Sequence, residues 1–209
     1  MASSKARRVP AMPTTEELAR ARILFEEYEP RDLFYRIATE LIALALDGKT
    51  SITVAEALAA LLQTWNAQFY RFHASFDSAH FAAIEGLLMR FGEELKSFRL
   101  RSIESFADSD AETVGTVFTA FENVLGPVGA AKALHLIAPA FFPLWDRKIA
   151  AAYGTALDSI GFNTPQYLRF MEIAYGQVKQ LGVTLKRIDE YNYCRFTQGW
   201  SLQNAAGAP

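Results

Sequence analysis

Apolar residues recur along this chain at the three- and four-residue spacing of amphipathic helices. The clearest stripe, in the run that leads to Gly126, consists of Val114, Val117, Phe118, Phe121 and Leu125. Residues 53–72 show the same spacing and are rich in alanine and leucine, which favour helix. No strand-like alternation, paired hairpin turn or internal repeat interrupts the pattern. The pattern therefore predicts an all-α fold of about nine or ten helices.

Capping residues mark where several of these helices begin. Thr14 is followed three residues later by Glu17, and Thr53 by Glu56, and each pair predicts a capping box. Asp77 stands immediately before another helical run, where its carboxylate would accept the first backbone N–H groups. These signals predict helix starts at three separate places along the chain.

Residues 126–154 interrupt the regular pattern with two turns. The sequence Gly126-Pro127-Val128-Gly129 predicts an exposed turn that opens a helix, since proline suits the first helical turn and glycine adopts angles that other residues avoid. We expect residues 126–130 to be exposed. The first N–H groups of a helix lack partners within it, so they attract anions, phosphate above all.

The helix after this turn carries two polar residues, Lys132 and His135, which are neighbours on one face because they lie three residues apart. Pro139 ends the helix, because proline disfavours helical geometry at the residue before it. Asp146 then precedes the next helical run and is predicted to cap it. The apolar residues expected to be buried behind the turn are Leu134, Ile137 and Ile149.

Two motifs in this stretch carry a resemblance to a known family. Val128-Gly129 before a helix, and Phe142-Pro143-Leu144-Trp145-Asp146 opening another, resemble the helix-hairpin-helix DNA glycosylase superfamily, whose adenine glycosylases have a similar FPxxD sequence. The resemblance covers about residues 124–154. It departs from the family pattern at Pro127, which stands where the hairpin normally has glycine, and at Lys132, which lies three residues after Gly129 rather than two.

The resemblance implies a fold and a set of site residues. The fold would be a helix-hairpin-helix DNA-glycosylase-like bundle. Asp146 would be the catalytic carboxylate, and Lys132 the nucleophile found in bifunctional members. The hairpin would bind a nucleic-acid phosphate through Gly126, Val128, Gly129, Ala130 and Ala131.

Aromatic and amide side chains supply a predicted base pocket. Enzymes of this kind draw the base out of the duplex and hold it between aromatic rings, with amides on its polar edge. The residues that fit this description are Trp65, Asn66, Tyr70, His135 and Trp145. Aromatic residues at helical spacing also suit a buried core, so both interpretations stand for Trp65 and Tyr70.

The length and composition of the chain indicate its domain organisation. The chain has 209 residues, of which 51% are apolar and 21% charged, as in a soluble globular protein. We predict one all-α domain over residues 13–200, built as one unit or as two closely packed lobes, with flexible tails at 1–12 and 201–209. Neither a long apolar run nor the apolar segment of a signal peptide is present, which predicts a cytoplasmic protein with no membrane partner.

The cysteine and histidine content and the net charge restrict the kinds of binding site that the chain can form. One cysteine, Cys194, and three scattered histidines predict neither an intrachain disulfide nor a metal site, and the sequence indicates no cofactor. A formal charge of −2 counts against a protein that coats nucleic acid through bulk charge. A local cluster of Lys96, Arg99 and Arg101 is interpreted as a solvated helix face in preference to a phosphate track.

These observations lead to one leading hypothesis and two alternatives. The leading hypothesis is that Lys132 and Asp146 cleave the N-glycosidic bond of a modified or damaged base, so that the partner is nucleic acid or a nucleoside. The first alternative is a non-catalytic helix-hairpin-helix module that binds nucleic acid or a protein. The second is an all-α protein in which both residues only cap and solubilise helices. A cavity beside Asp146 would favour the enzyme, whereas a filled core would favour the module.

Overall fold

The computed structural model describes residues 9–30 and 32–202, and all regular secondary structure within them is helical. The helices are α1 (Thr15–Tyr28), α2 (Asp32–Leu46), α3 (Val54–Trp65), α4 (Ala67–Phe72), α5 (Ser78–Arg90), α6 (Gly92–Arg99), α7 (Ala111–Ile137), α8 (Arg147–Ala152), α9 (Thr164–Leu181) and α10 (Leu185–Asn192). Two 3₁₀ turns, Ile103–Ser105 and Asp108–Asp110, precede α7, and a turn of π-helix, Tyr193–Gln198, extends α10. The all-α prediction is confirmed for this part of the chain.

Side-chain caps begin several helices where the sequence predicts them. The Thr14 hydroxyl accepts the Glu17 N–H at 3.1 Å, and the Glu17 carboxylate accepts the Thr14 N–H at 2.9 Å. Thr53 and Glu56 form the same reciprocal pair. Asp77 accepts the N–H of His80 at 3.0 Å. All three predicted helix starts are confirmed.

The helix predicted over residues 53–72 is two helices, because the backbone leaves helical geometry at Asn66 (φ −123°, ψ 27°). The Asn66 side chain donates to the carbonyl of Leu125 in α7 at 3.1 Å. This contact ties the corner between α3 and α4 to the middle of α7. The prediction of one continuous helix is therefore wrong.

Helix α7 bends at Gly126, which has φ 70° and ψ 167° while the residues on both sides stay helical. Pro127 follows at once, as predicted for a first helical position. The predicted exposed turn is wrong, because only Gly126 departs from helical geometry and Gly126, Gly129 and Ala130 are buried. Helix α4 covers the bend, since a Cβ placed on Gly126 would lie 3.0 Å from the Phe69 ring.

The main apolar cluster surrounds α7, which packs against α2, α3, α5 and α9. The stripe predicted on α7 from Val114 to Leu125 is fully buried. Leu134, Ile137 and Ile149, predicted to lie behind the turn, are buried as well. Both predictions about the core are confirmed.

A second apolar cluster joins α1, the end of α9 and α10. Its buried members include Leu24, Ile188 and Tyr191. Leu202 also packs here and is 5% exposed, although it falls within the predicted tail at 201–209. Leu202 is therefore packed against the second cluster, and burying a leucine side chain contributes roughly 1.5 to 3 kcal/mol. The rest of that tail from 203, and residues 1–8 of the other, lie outside the described residues.

None of the helices described is both long enough and apolar enough to cross a membrane.

Candidate functional site

A cavity of about 260 Å³ lies where α8, α10 and the second half of α7 meet the ends of α1 and α3. Ligand pockets commonly run from about 300 to 1,000 Å³, so this one suits a small ligand. Its wall joins the two apolar clusters, with Phe25 from the second and Trp145 and Ile149 from the first. Its charged lining residues are Glu29, Lys132, Asp146, Lys186, Asp189 and Glu190.

Lys132 and Asp146, the predicted catalytic pair, both line this cavity. Asp146 begins α8, and its Oδ1 accepts the N–H groups of Lys148 and Ile149, each at 2.8 Å. Its Oδ2 accepts the hydroxyl of Thr197 at 2.5 Å. The predicted cap is confirmed. These three donors fix the orientation of the Asp146 carboxyl group.

Lys132 projects from the second half of α7 towards the end of α3. Its Nζ donates to the backbone carbonyl of Trp65 and lies 5.9 Å from the centroid of the Trp65 indole. That indole stacks on the ring of Tyr35, with 5.6 Å between centroids and 9° between planes. The amine is therefore held at the aromatic wall of the cavity.

The five residues of the predicted base pocket do not all lie at the cavity. Trp65 and Trp145 line the cavity. Asn66 and Tyr70 lie elsewhere, because Asn66 binds the Leu125 carbonyl and the Tyr70 hydroxyl is 3.1 Å from Nε2 of His80. His135 is fully buried and is not among the residues that line the cavity. The structure therefore brings Trp65 and Trp145 together at the cavity and places Asn66, Tyr70 and His135 outside its lining.

The contacts of His135 fix its protonation. Its Nδ1 lies 2.7 Å from the carbonyl oxygen of Phe142, which can only accept, so Nδ1 carries the hydrogen. Its Nε2 lies 2.9 Å from the hydroxyl of Tyr35 and accepts from it. Burial lowers the pKa of His135 to about 4, so the ring is neutral near pH 7.

Helix α10 supplies carboxyl and amine groups that the sequence did not single out. Asp189 and Glu190 are both buried and line the cavity beside Lys186. Lys186 pairs with Asp32 at 3.1 Å, and its Nζ lies 4.3 Å from the centroid of the Tyr35 ring. Burial raises the pKa of the Asp189 carboxyl well above its usual range, and that of Glu190 in the same direction.

A signal for these residues is present in the sequence. Polar side chains recur at three- and four-residue spacing along α10 and its π-helical extension, at Lys186, Asp189, Glu190, Tyr193 and Thr197. This spacing places them on one helix face. A polar face of that length on a helix with apolar neighbours such as Leu185 and Ile188 indicates a lined cavity or a solvent-facing side, and the structure shows the former.

The predicted phosphate-binding groups are largely covered. Gly126, Gly129, Ala130 and Ala131 are buried, and Val128 is half-buried. A Cβ on Gly129 would lie 2.6 Å from the Asn66 amide, so the α3–α4 corner sits directly against this turn of α7. The exposure expected for a phosphate site is absent at these four residues.

The basic cluster around residue 99 is engaged within the fold. Arg99 donates to the Ile137 carbonyl at the end of α7 at 2.7 Å. Arg101 makes two hydrogen bonds to Asp110, at 2.7 and 2.8 Å. Lys96 is solvent-exposed beside Glu93, at 2.8 Å. These partners favour a structural role for the two arginines over a phosphate track.

Among the residues described, no group of three or more histidine, cysteine, aspartate or glutamate side chains is placed to hold a metal ion. Comparison with protein-family models, with curated proteins and with solved structures found no match for the chain. The resemblance of residues 124–154 to helix-hairpin-helix glycosylases therefore stays a prediction.

Proposed function

We propose that this protein cleaves the N-glycosidic bond of a modified or damaged base in the cavity that Lys132 and Asp146 share. The observation that carries the proposal is that both side chains line one cavity together with Trp65 and Trp145. A lone lysine is usually a surface residue, and a lone aspartate before a helix is usually a cap. Their convergence on a cavity with aromatic walls supports a chemical role beyond the cap.

The reaction needs negative charge near the sugar. Positive charge builds on the sugar as the base departs, and a fixed carboxylate stabilises it. Asp146 has a fixed orientation because it accepts hydrogen bonds from Lys148, Ile149 and Thr197. The nucleophile is water in a simple hydrolase and the Lys132 amine in a lyase. Borohydride trapping of a covalent imine separates these two routes.

Size and charge favour a nucleoside, or a single extruded base, over long duplex DNA. The cavity of about 260 Å³ accommodates only a small group. Its wall carries four carboxyl groups and two amines, and the chain has a formal charge of −2. A polyanion gains little from such a surface, because nucleic-acid affinity comes mainly from neutralised phosphates.

The non-catalytic binding module has less support. It would use the bend in α7 as an exposed hairpin, but Gly126 lies under Phe69 and Gly129 lies against Asn66. A binding module also needs no cavity lined by buried carboxyl groups. The cavity beside Asp146 therefore favours the enzyme.

The test is base release from modified nucleosides and from single- and double-stranded oligonucleotides that carry the same bases. Wild-type protein should release base, with Asp146→Asn inactive and Lys132→Gln unable to form a trappable imine. Lys96→Gln is the matched control, because Lys96 is an exposed lysine paired with Glu93. Full activity in Asp146→Asn would end the proposal for this site.

A further inference from the structure

Helix α2 carries apolar side chains on two of its faces. The residues that it buries against the main apolar cluster are Tyr35, Ala38 and Ile42. On the opposite side, Leu33, Phe34 and Ile37 are 52%, 45% and 47% exposed. A helix with one buried face normally has polar residues on the other, and a helix that is apolar all round is normally covered all round. The outer face of α2 therefore has the composition of a surface that a partner covers.

The outer apolar residues form one stripe along the helix. The outer stripe of α2 consists of Leu33, Phe34, Ile37, Leu41 and Leu44. From Phe34 to Leu44 the spacing alternates between three and four residues, which is the spacing by which two helices pack along a shared seam. Leu41 and Leu44 are half-buried, so the stripe stays accessible towards the end of the helix. Single exposed apolar residues are ordinary, whereas a contiguous stripe indicates an interaction surface.

Two residues of opposite charge border this stripe. Arg36 and Glu40 are exposed and share one edge of the helix, because they lie four residues apart. Neither side chain forms an ion pair with another described residue. The midpoint of the two charges is Ala38, and the midpoint of the stripe lies beside it. The charges and the stripe therefore have nearly the same centre.

This common centre makes the outer face of α2 complementary to itself. When a second α2 lies antiparallel across a two-fold axis near Ala38, Arg36 of each copy faces Glu40 of the other. The two ends of the stripe, Phe34 and Leu44, face each other in the same way. Two equivalent ion pairs then border an apolar seam. A two-fold interface requires this property, because both copies use the same surface.

We infer that the outer stripe of α2 is the interface of a symmetric dimer of this protein. A second copy fits the surface better than a lipid bilayer does, since helices that lie on bilayers are rich in lysine and arginine along their polar edge. The edge of α2 carries Arg36 and Glu40, which cancel in charge. The inference is independent of the proposed function, because no residue of the stripe lines the cavity.

The size of the surface indicates how strong the dimer is. Helix α2 has 15 residues, whereas a standard stable interface uses about 20 to 30 residues on each side. The dimer should therefore be reversible and depend on protein concentration. Analytical ultracentrifugation from low micromolar to millimolar concentration should show wild-type protein passing from monomer to dimer.

Charge exchange tests the antiparallel arrangement. Arg36→Glu places two acidic side chains opposite each other at both ends of the pair, and Glu40→Arg does the same with two basic ones. Each single variant should raise the dissociation constant about tenfold or more, because two attractive pairs become two repulsive ones. The double variant, Arg36→Glu with Glu40→Arg, restores opposite charges across the axis. It should dimerise as wild type does.

An apolar residue near the axis gives a second test. Ile37→Asp places a charge in the seam of both copies and should keep the protein monomeric throughout the concentration range. Met89→Asp is the matched control, since Met89 is an apolar residue of α5 that is 86% exposed and lies outside the stripe. It should dimerise as wild type does. Circular dichroism establishes that each variant is folded, and the charge series still decides the question if Ile37→Asp is not.

Three results would overturn the inference. The first is wild-type protein that stays monomeric at every concentration. The second is a dimer that neither single charge variant weakens, because that dimer would use another surface. The third is a monomer that sediments with vesicles of anionic phospholipid and loses this binding in Ile37→Asp, since the stripe would then contact a membrane. Base release by the cavity would stand or fail separately from all three.

Discussion

Nδ1 of His135 lies 3.8 Å from Oδ2 of Asp189, so two buried titratable groups face each other without a hydrogen bond. His135 donates to Phe142 instead, at 2.7 Å. Burial lowers the pKa of His135 to about 4, so its ring is neutral near pH 7, and burial raises the pKa of the Asp189 carboxyl well above its usual range. The two groups therefore respond to pH with opposite signs.

His135 should make the fold sensitive to acid. Burial lowers its folded pKa from 6.5 to about 4, so between these values the unfolded chain binds more protons than the folded one. Stability from this group is fully present above about pH 6.5 and is lost as the pH falls towards about 4. The loss should reach about 3 kcal/mol. Asp189 acts in the other direction, because its raised folded pKa lowers stability as pH rises.

Urea denaturation of wild-type protein and His135→Gln from about pH 4.5 to about pH 7.5 measures the contribution of His135 to the pH dependence of stability. The difference between their free energies of unfolding should be constant near neutral pH and should shrink as the pH falls. The variant retains Asp189, so the contribution of that group largely cancels in the comparison. A difference that does not change with pH would contradict a neutral, buried His135.

The bend in α7 should require glycine at position 126. Gly126 has φ 70° and ψ 167°, a region that is essentially restricted to glycine, and a Cβ there would lie 3.0 Å from the Phe69 ring. We expect Gly126→Ala to cost about 3 kcal/mol or more. Gly182→Ala is the control, since Gly182 has φ 63° with nothing within 4 Å, and it should cost about 1 to 2 kcal/mol. Equal midpoints for the two variants in chemical denaturation would mean that the bend is not tightly packed.

Close packing of the α3–α4 corner gives a prediction at Gly129. A Cβ there would lie 2.6 Å from the Asn66 amide and 2.9 Å from Leu125 Cβ. Gly129→Ala should therefore lower the free energy of unfolding by about 1 to 3 kcal/mol. Gly176→Ala, in the middle of α9 with nothing within 4 Å, should raise it by about 0.5 to 1 kcal/mol. Thermal unfolding of both variants checks the opposite signs, and stabilisation by Gly129→Ala would refute the contact.

Features that depend on near neighbours in sequence could be predicted. The caps at Thr14 and Thr53 need only a glutamate three residues later, so the sequence alone specifies them. The start of α8 could also be predicted locally, because Asp146 caps the helix that directly follows it. The stripe on α7 could be predicted because one helix face decides it.

Features that depend on contacts between residues far apart in the sequence could not be predicted. The α3–α4 break at Asn66 arises from a hydrogen bond to a carbonyl 59 residues away, and no local pattern indicates it. The predicted exposure of the 126–130 turn is wrong, because its burial depends on how α4 packs across α7. Asp189 lies 43 residues after Asp146 in the sequence, and only folding brings both to one cavity. Its helical spacing from Lys186 and Tyr193 would have been the sequence signal.

Substitutions at Asp146 distinguish its role as a helix cap from a role in catalysis. Asparagine caps helices about as well as aspartate, and its amide can donate to the Thr197 hydroxyl that now donates to Oδ2. Asp146→Asn should therefore change the free energy of unfolding by less than about 0.5 kcal/mol while abolishing base release. Asp146→Ala should cost about 1 to 2 kcal/mol, because it removes the cap and the acceptor of Thr197.

Thr197→Val completes this set. It removes the donor to Oδ2 but leaves the two backbone N–H bonds to Oδ1, so it should cost about 1 kcal/mol and retain the cap. Thermal unfolding and base release are both measured on Asp146→Asn, Asp146→Ala and Thr197→Val, with one preparation of each variant used for both measurements. If Asp146 acts only as a cap, activity should follow stability across the series, with Asp146→Asn close to wild type in both. If Asp146 acts on the substrate, Asp146→Asn should be stable and inactive, because it keeps the hydrogen bonds of the cap and loses only the negative charge.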